Sequence, residues 1–382
     1  MSSVPMKITA IEITQHQLPL DPPFQPSWSS LPRAKFDATI VRVHTDAGLT
    51  GIGSGDHMLG FAGHENLFIG RHPLELERHN RVIDHISFHY GRCWPLDLAL
   101  WDLAGKIAGQ PCWRLLGGFT NRIPCYASSG TLRSGPELAS FAEAALARGF
   151  KAMKIRFSRG DWQGDIAKLE AVRARIGSKI ELMVDCNQGW RFPWDTMSPW
   201  TVKDALRVGR ELEKLGVYWM EEPLHRSDRE GMRRLRETLD LRIAGGELDR
   251  EVAELRDVIT GGSLDVVQPD AVSVGGMTGL QKIAQLAASH GVTFTPHTWG
   301  NGIGLLANAH VMAGTGASSY LEFPWDPPEW GFDRRDFMLT EPVDIDVSGH
   351  LVLSEKPGLG FELDEAALQR TRVLGDTIKS NN

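Results

Sequence analysis

The feature that most constrains this chain is a recurring unit: a short apolar run that ends on a polar or acidic residue. Residues 180–184 lead into Asp185, then Asn187 and a turn at Gly189. Residues 217–220 lead into Glu221-Glu222-Pro223, and 243–246 into Glu247. Residues 264–267 lead into Gln268-Pro269-Asp270, 293–296 into His297, and 319–321 into Glu322. The polar positions lie 36, 26, 23, 27 and 25 residues apart. One strand, one helix and two loops take roughly 30 residues, so the spacing gives one polar residue per βα unit, just past the strand. In a βα-barrel that end of the strands is where the active site is assembled. A carboxylate at the lip of a buried strand is costly unless a cation, a partner or water receives it. Single acids there often cap the next helix. Three on consecutive units, Asp185, Glu221 and Glu247, make an all-oxygen set suited to a hard divalent cation such as Mg²⁺.

Composition narrows the function classes. A chain of 382 residues predicts one large domain and a smaller one. Its net charge of −7 argues against nucleic acid or an anionic membrane as partner. No run approaches a membrane span, and the first twenty residues lack the apolar core of a secretion signal. Four cysteines, none in a C-x-x-C pair, read as reduced thiols, and the expected compartment is the cytoplasm.

Along the chain, residues 6–55 alternate apolar and polar positions and predict β-structure. The proline-rich segment 20–28 between the two alternating runs predicts a loop. The glycines at 51, 53 and 55 superficially resemble a dinucleotide loop, but no βαβ unit frames them. Residues 74–118 read as helices, with Asp97 and Asp102 in structural roles. From Ile123 the chain alternates strand and helix, which implies a parallel sheet of eight strands. Helical stretches are expected at 136–148, 162–176, 201–215, 229–238, 250–261, 277–289 and 303–314. Hairpin signals follow at 343–360, and a last helix begins near Asp364.

These motif positions resemble the enolase superfamily, in its mandelate racemase branch, over nearly the whole chain. Ala99-Leu-Trp-Asp-Leu-Ala-Gly-Lys106 with Leu115-Leu-Gly-Gly118 is similar to that family's cap-helix signature, and Lys356-Pro-Gly-Leu-Gly-Phe-Glu362 to its C-terminal one. The resemblance implies an α/β fold: an α+β capping domain at 1–122, a modified (β/α)₇β TIM-type barrel at 123–340, and a tail at 341–382 that returns to the cap. It implies that Asp185, Glu221 and Glu247 ligate Mg²⁺. Asp270 and His297 match the family's His–Asp dyad, and Glu322 its last-strand acid. Lys154-Ile-Arg156 matches a Lys-x-Lys motif with one departure, arginine for the second lysine. A homo-oligomer is also implied.

Lys154 and Arg156 are two apart on a strand, so both point to one face. Arginine does not lose its proton in a protein, so Arg156 is expected to hold a carboxylate rather than act as a base. His297, oriented by Asp270, is the expected acid–base group. Glu322 could hydrogen-bond the reacting group if protonated, and Asn187 could contact metal or substrate. Loops 20–33 and 55–66 are expected over the barrel mouth, bringing Trp28, His57 or Phe61 to the substrate. The stretch Pro296-His-Thr-Trp299-Gly-Asn-Gly302 is similar to that of family members acting on sugar acids, and Trp299 is a further candidate contact to substrate.

The leading reading is Mg²⁺-dependent removal of the α-proton of a small carboxylate through an enediolate, dehydrating a sugar acid to a 2-keto-3-deoxy acid. The alternatives are a racemase or epimerase of a 2-hydroxy acid, a cycloisomerase of a sugar lactone, or a carboxylate-binding relative without turnover.

Overall fold

The computed structural model describes residues 6–158, 160–193, 195, 197–316 and 319–379. Strands β1 (Ile8–Phe24), β2 (Arg33–Thr45) and β3 (Thr50–Gly55) form an antiparallel sheet, covered by helices α1 (Leu76–Tyr90) and α2 (Trp94–Ala108); the short α3 (Cys112–Leu115) follows. The glycines of β3 mark close packing. A Cβ at Gly53 would lie 2.1 Å from the Pro95 carbonyl oxygen, and one at Gly51 2.1 Å from that of Ala99. They let strand and helix touch and form no nucleotide loop.

Two expectations for this region are corrected. The predicted loop at 20–28 is strand as far as Phe24; its prolines fall where the ladder to β2 slips, between Pro19 and Phe24. After the last helix comes an unforeseen strand, β13 (Arg372–Lys379), which pairs with β1 and ties this last described segment into the cap sheet.

The barrel strands are β4 (Arg122–Ser128), β5 (Ala152–Arg156), β6 (Glu181–Asp185), β7 (Val217–Glu221), β8 (Arg242–Gly245), β9 (Val266–Val267), β10 (Thr293–Phe294) and β11 (Leu321–Pro324). Strands β4 to β10 pair in parallel in chain order, and β11 returns to pair with β4. Helices α4 (Gly135–Arg148), α5 (Trp162–Ile176), α6 (Val202–Lys214), α7 (Arg229–Thr238), α8 (Val252–Thr260), α9 (Gly276–Ser289) and α10 (Gly302–Thr315) connect the strands. This is a modified (β/α)₇β barrel with an α+β cap. Short α11 (Phe332–Arg335), β12 (His350–Val352), α12 (Glu365–Thr371) and β13 (Arg372–Lys379) complete it.

The period of two along each strand sorts the lumen into levels. Tyr126, Ala152, Met183, Trp219, Ala244 and Val266 pack together as a buried apolar plug. Two residues further on, toward the C-terminal ends, the same faces carry Ser128, Lys154, Asp185 and Glu221. Burial of each large plug side chain stabilises by about 1.5–3 kcal/mol. The polar level above it is held by mutual charge. Asp97 and Asp102 are structural, as expected. Asp102 accepts from the backbone N–H groups of Ile52 and Leu359, both at 2.8 Å, so the cap-helix signature grips the C-terminal one.

Candidate active site

Strand β5 places two cations among the strand-end acids. Lys154 is wholly buried, with Nζ 2.6 Å from Glu221 Oε1 and 2.8 Å from Glu322 Oε1. Burial alone would lower its pKa, but those two carboxylates raise it instead, so the pairing favours the ammonium form. Arg156 donates to Asp185 Oδ2 and, through Nε, to the Ser129 carbonyl at 2.9 Å. Its guanidinium lies over the rings of Trp28 and Trp299, 4.9 and 5.4 Å from their centres.

Glu322 sits at the level of these cations rather than on an open rim. It accepts from Ser128 Oγ at 2.6 Å and the Thr298 N–H at 2.9 Å. Burial pushes its pKa up, but Lys154, His297 and Arg156 outweigh burial and hold it well below the usual carboxylate range. The condition on which Glu322 could hydrogen-bond the reacting group, that it be protonated, is opposed by these three cations, which favour the ionised carboxylate.

Asp185 and Glu221 end β6 and β7, and Glu247 lies two residues past the end of β8; all three are buried. Burial drives the pKa of each upward; Arg156, Lys154 and His297 respectively are the strongest opposing influences. Asp185 Oδ1 takes the N–H of Asn187, and Glu221 Oε2 takes Gln268 Nε2 at 2.8 Å. Among the described residues no three His, Cys, Asp or Glu side chains are gathered around one point. Asp185 is paired with the Arg156 guanidinium and Glu221 with the Lys154 ammonium. The donor chemistry nonetheless fits a hard cation. Buried Glu247 Oε2 and Asn187 Oδ1 have no hydrogen-bond donor, and three buried carboxylates share one level. Glu222, beside Glu221, is different: both its oxygens are buried without partners, packed where a Cβ on Gly189 would sit.

His297 follows β10 and faces the cavity. Its Nδ1 lies 3.0 Å from Asp270 Oδ2, and its Nε2 3.6 Å from Glu247 Oε2. Burial would lower its pKa, but Glu247, Glu322 and Asp270 push it up to about 10. Asp270 is in turn fixed by Asn308 Nδ2 at 2.8 Å and the Val272 N–H at 3.0 Å. Asn308, absent from the sequence reading, also donates to the His297 carbonyl at 3.1 Å. Its signal was a polar amide inside the mostly apolar helix α10.

Above these groups is a cavity of 410 Å³, lined in part by Trp28, Arg156, Glu247, His297 and Trp299. It falls in the usual range for small-molecule sites. Trp28 and Trp299 are thus placed as expected. His57 is corrected: it is exposed and does not line the cavity, whereas Asp56 does. Phe61 is corrected too, since it packs in the cap core against Phe68. Asn187 is buried below the cavity, in the left-handed region with φ 50°.

Comparisons with known proteins bear on this geometry. A model of the mandelate racemase / muconate lactonizing enzyme N-terminal domain matches residues 8–117, and an enolase C-terminal domain-like model matches 137–367. The chain is 31% identical over 278 residues to an arabinonate dehydratase of Saccharolobus solfataricus, covering 72% of this chain and 70% of that protein. It is 30% identical over 393 residues to a D-galactarolactone cycloisomerase of Agrobacterium fabrum, covering 96% and 99% respectively. The crystal structure of L-talarate/galactarate dehydratase from Salmonella typhimurium LT2, liganded with Mg and L-lyxarohydroxamate, is similar with a TM-score of 0.84. That match has 26% identity over 99% of this chain and 96% of that one.

Proposed function

The chain belongs to the mandelate racemase / muconate lactonizing enzyme family, and on that premise we propose that it dehydrates a sugar acid, with His297 moving the proton. The observation that carries this is the cavity wall. Among its described lining residues His297 is the one group that ordinarily titrates near neutrality, while Lys154 is sealed between Glu221 and Glu322.

Asp185, Glu221 and Glu247 would hold Mg²⁺. Bound there, the ion would offset the second negative charge that α-proton removal places on the substrate's carboxyl group. Arg156 presents a permanent cation to that carboxylate. Asp270 takes the Nδ1–H of His297. Glu247 is the main influence that keeps the ring protonated, and engaged with Mg²⁺ it would release that hold, so that Nε2 is free to accept the α-proton. The C–H electron pair forms a double bond between the α-carbon and the carboxyl carbon, giving the enediolate; that pair then shifts to the α–β bond as the Cβ–O bond breaks, restoring the carboxylate, and the hydroxyl leaves as water with the proton that Nε2 returns. The enol left behind tautomerises to a 2-keto-3-deoxy acid. One residue serving both steps from one face gives syn elimination. Trp28 and Trp299 cover the reacting carbon from water.

A sugar-lactone cycloisomerase shares the first step, and the full-length likeness to a D-galactarolactone cycloisomerase favours it as the second reading. The four cysteines are all buried and unpaired, which supports a reducing, cytoplasmic setting, and no described helix is long and apolar enough to cross a membrane. We also place the chain in a homo-oligomer, as the family resemblance implies.

The test is a stereochemical library of mono- and diacid sugars scored for 2-keto acid. At least one acid should be converted with Mg²⁺, not in EDTA, and not by His297→Asn. Conversion that persists in chelator, or in His297→Asn, contradicts the reading.

A further inference from the structure

The cavity mouth carries more positive charge than the reaction above uses. Arg33 at the start of β2, Arg92 between α1 and α2, Arg226 after β7 and Arg250 before α8 all line it. None of these four is held in an ion pair among the described residues. They come from four separated segments, two of the cap and two of the barrel, and meet only in the folded chain. Their mutual influence is felt: burial, then Arg92 and Arg226, pull the pKa of Arg250 down to about 10. The chain as a whole has a net charge of −7, so the mouth is a local reversal of sign.

Guanidinium groups donate hydrogen bonds and accept none. The hydroxyl tail of a neutral sugar end needs both donors and acceptors, and the rim offers few acceptors, chiefly Asp56 and Ser273. A carboxylate or phosphate needs donors alone. The reacting carboxylate already has Arg156 and the proposed metal ligands beneath it. The rim is therefore matched to a different anion, at the far end of the substrate.

We propose that the substrate carries a second anionic group remote from its reacting carboxylate, and that Arg33, Arg226 and Arg250 form the subsite that receives it. The inference rests on the sugar-acid reading for the orientation of the substrate. It predicts a preference for dianions that weakens with ionic strength, because exposed charges are screened.

The test is calorimetric titration of the Mg²⁺-loaded protein with three six-carbon probes: an aldarate, the matching aldonate and the aldonate 6-phosphate. The aldarate, the phosphate, or both should bind at least about tenfold tighter than the aldonate, the scale of one charge-assisted contact. Which of them does so identifies the second anion. In Arg226→Gln with Arg250→Gln that ratio should collapse toward one, while the double lysine variant should keep part of it. Equal binding of all three probes, or a ratio unchanged in the glutamine variant, overturns the subsite. Exchange of the α-proton is followed in parallel. If the dianion is preferred but no acid exchanges, the dehydratase reading fails and the subsite stands. If the aldonate exchanges and binds as well as the dianions, the subsite fails and the reading stands.

Discussion

A guanidinium keeps its proton at any pH the fold survives, so Arg156 is a fixed positive charge beside Asp185. Removing it should leave the acids more strongly negative. Arg156→Gln is therefore expected to bind Mg²⁺ about tenfold more tightly by calorimetry, at some cost in stability when metal is chelated. Weaker binding would contradict the assignment of Asp185 as a ligand. The dyad offers a second check. In EDTA, His297 should titrate near 10, chiefly because Glu247 raises it against burial. A histidine with a raised folded pKa contributes stability fully below its unfolded value near 6.5, and that contribution is lost as pH rises through about 10. Mg²⁺ taken up by Glu247 should lower the value toward neutrality, which histidine NMR would show; no change on adding Mg²⁺ would remove Glu247 from the ligand set. These residues were legible because each sits at once after an apolar run. Asn308 was not, because its meaning depends on Asp270 arriving from another unit. His57 was misplaced because sequence gives a loop's position but not which of two exposed neighbours, Asp56 or His57, borders the cavity.

Helix α10 shows how one element joins cap, barrel and tail. Its His310 is fully buried; Nδ1 accepts the Trp113 N–H at 2.9 Å, so Nε2 carries the proton toward the Leu359 carbonyl at 3.2 Å. Both bonds require the neutral ring, and burial holds its pKa down to about 4. The sign is opposite to that of His297: this contribution is present above pH 6.5 and lost as pH falls toward 4. The difference corresponds to about 3 kcal/mol. Denaturant titrations at pH 7 and pH 4 should differ by about that much less in His310→Gln than in the parent. A pH dependence the same in both would contradict the role. At β3, Gly53→Ala drives a methyl to 2.1 Å from the Pro95 carbonyl oxygen. It should destabilise by roughly 1–3 kcal/mol, read as a lowered melting midpoint. Periodicity made the long helices legible nearly to the residue. Two-residue strands such as β9 and β10 were found only through the polar residue after them. Strand β13 was missed because its pairing partner, β1, lies at the other end of the chain.

For the whole molecule, the barrel was readable from the repeat interval, and the lumen's two levels follow from strand alternation alone. The arginine rim was not readable, since its members gain meaning only when cap and barrel are docked. The division of labour that results is asymmetric. On the proposed reading, one side of the reacting carbon faces His297 and the other faces two cations, Lys154 held by two carboxylates and Arg156 paired with Asp185. Arg156→Lys should keep binding and gain slow epimerisation, seen as an inverted isomer by chiral chromatography, because a lysine there can lose its proton. The most direct test of the account is α-proton exchange in D₂O, followed by NMR on a sugar acid or an analogue lacking the β-hydroxyl. The account predicts Mg²⁺-dependent exchange with full retention of configuration, absent in His297→Asn. Exchange that survives in His297→Asn, or that scrambles the α-carbon in the parent, would contradict it.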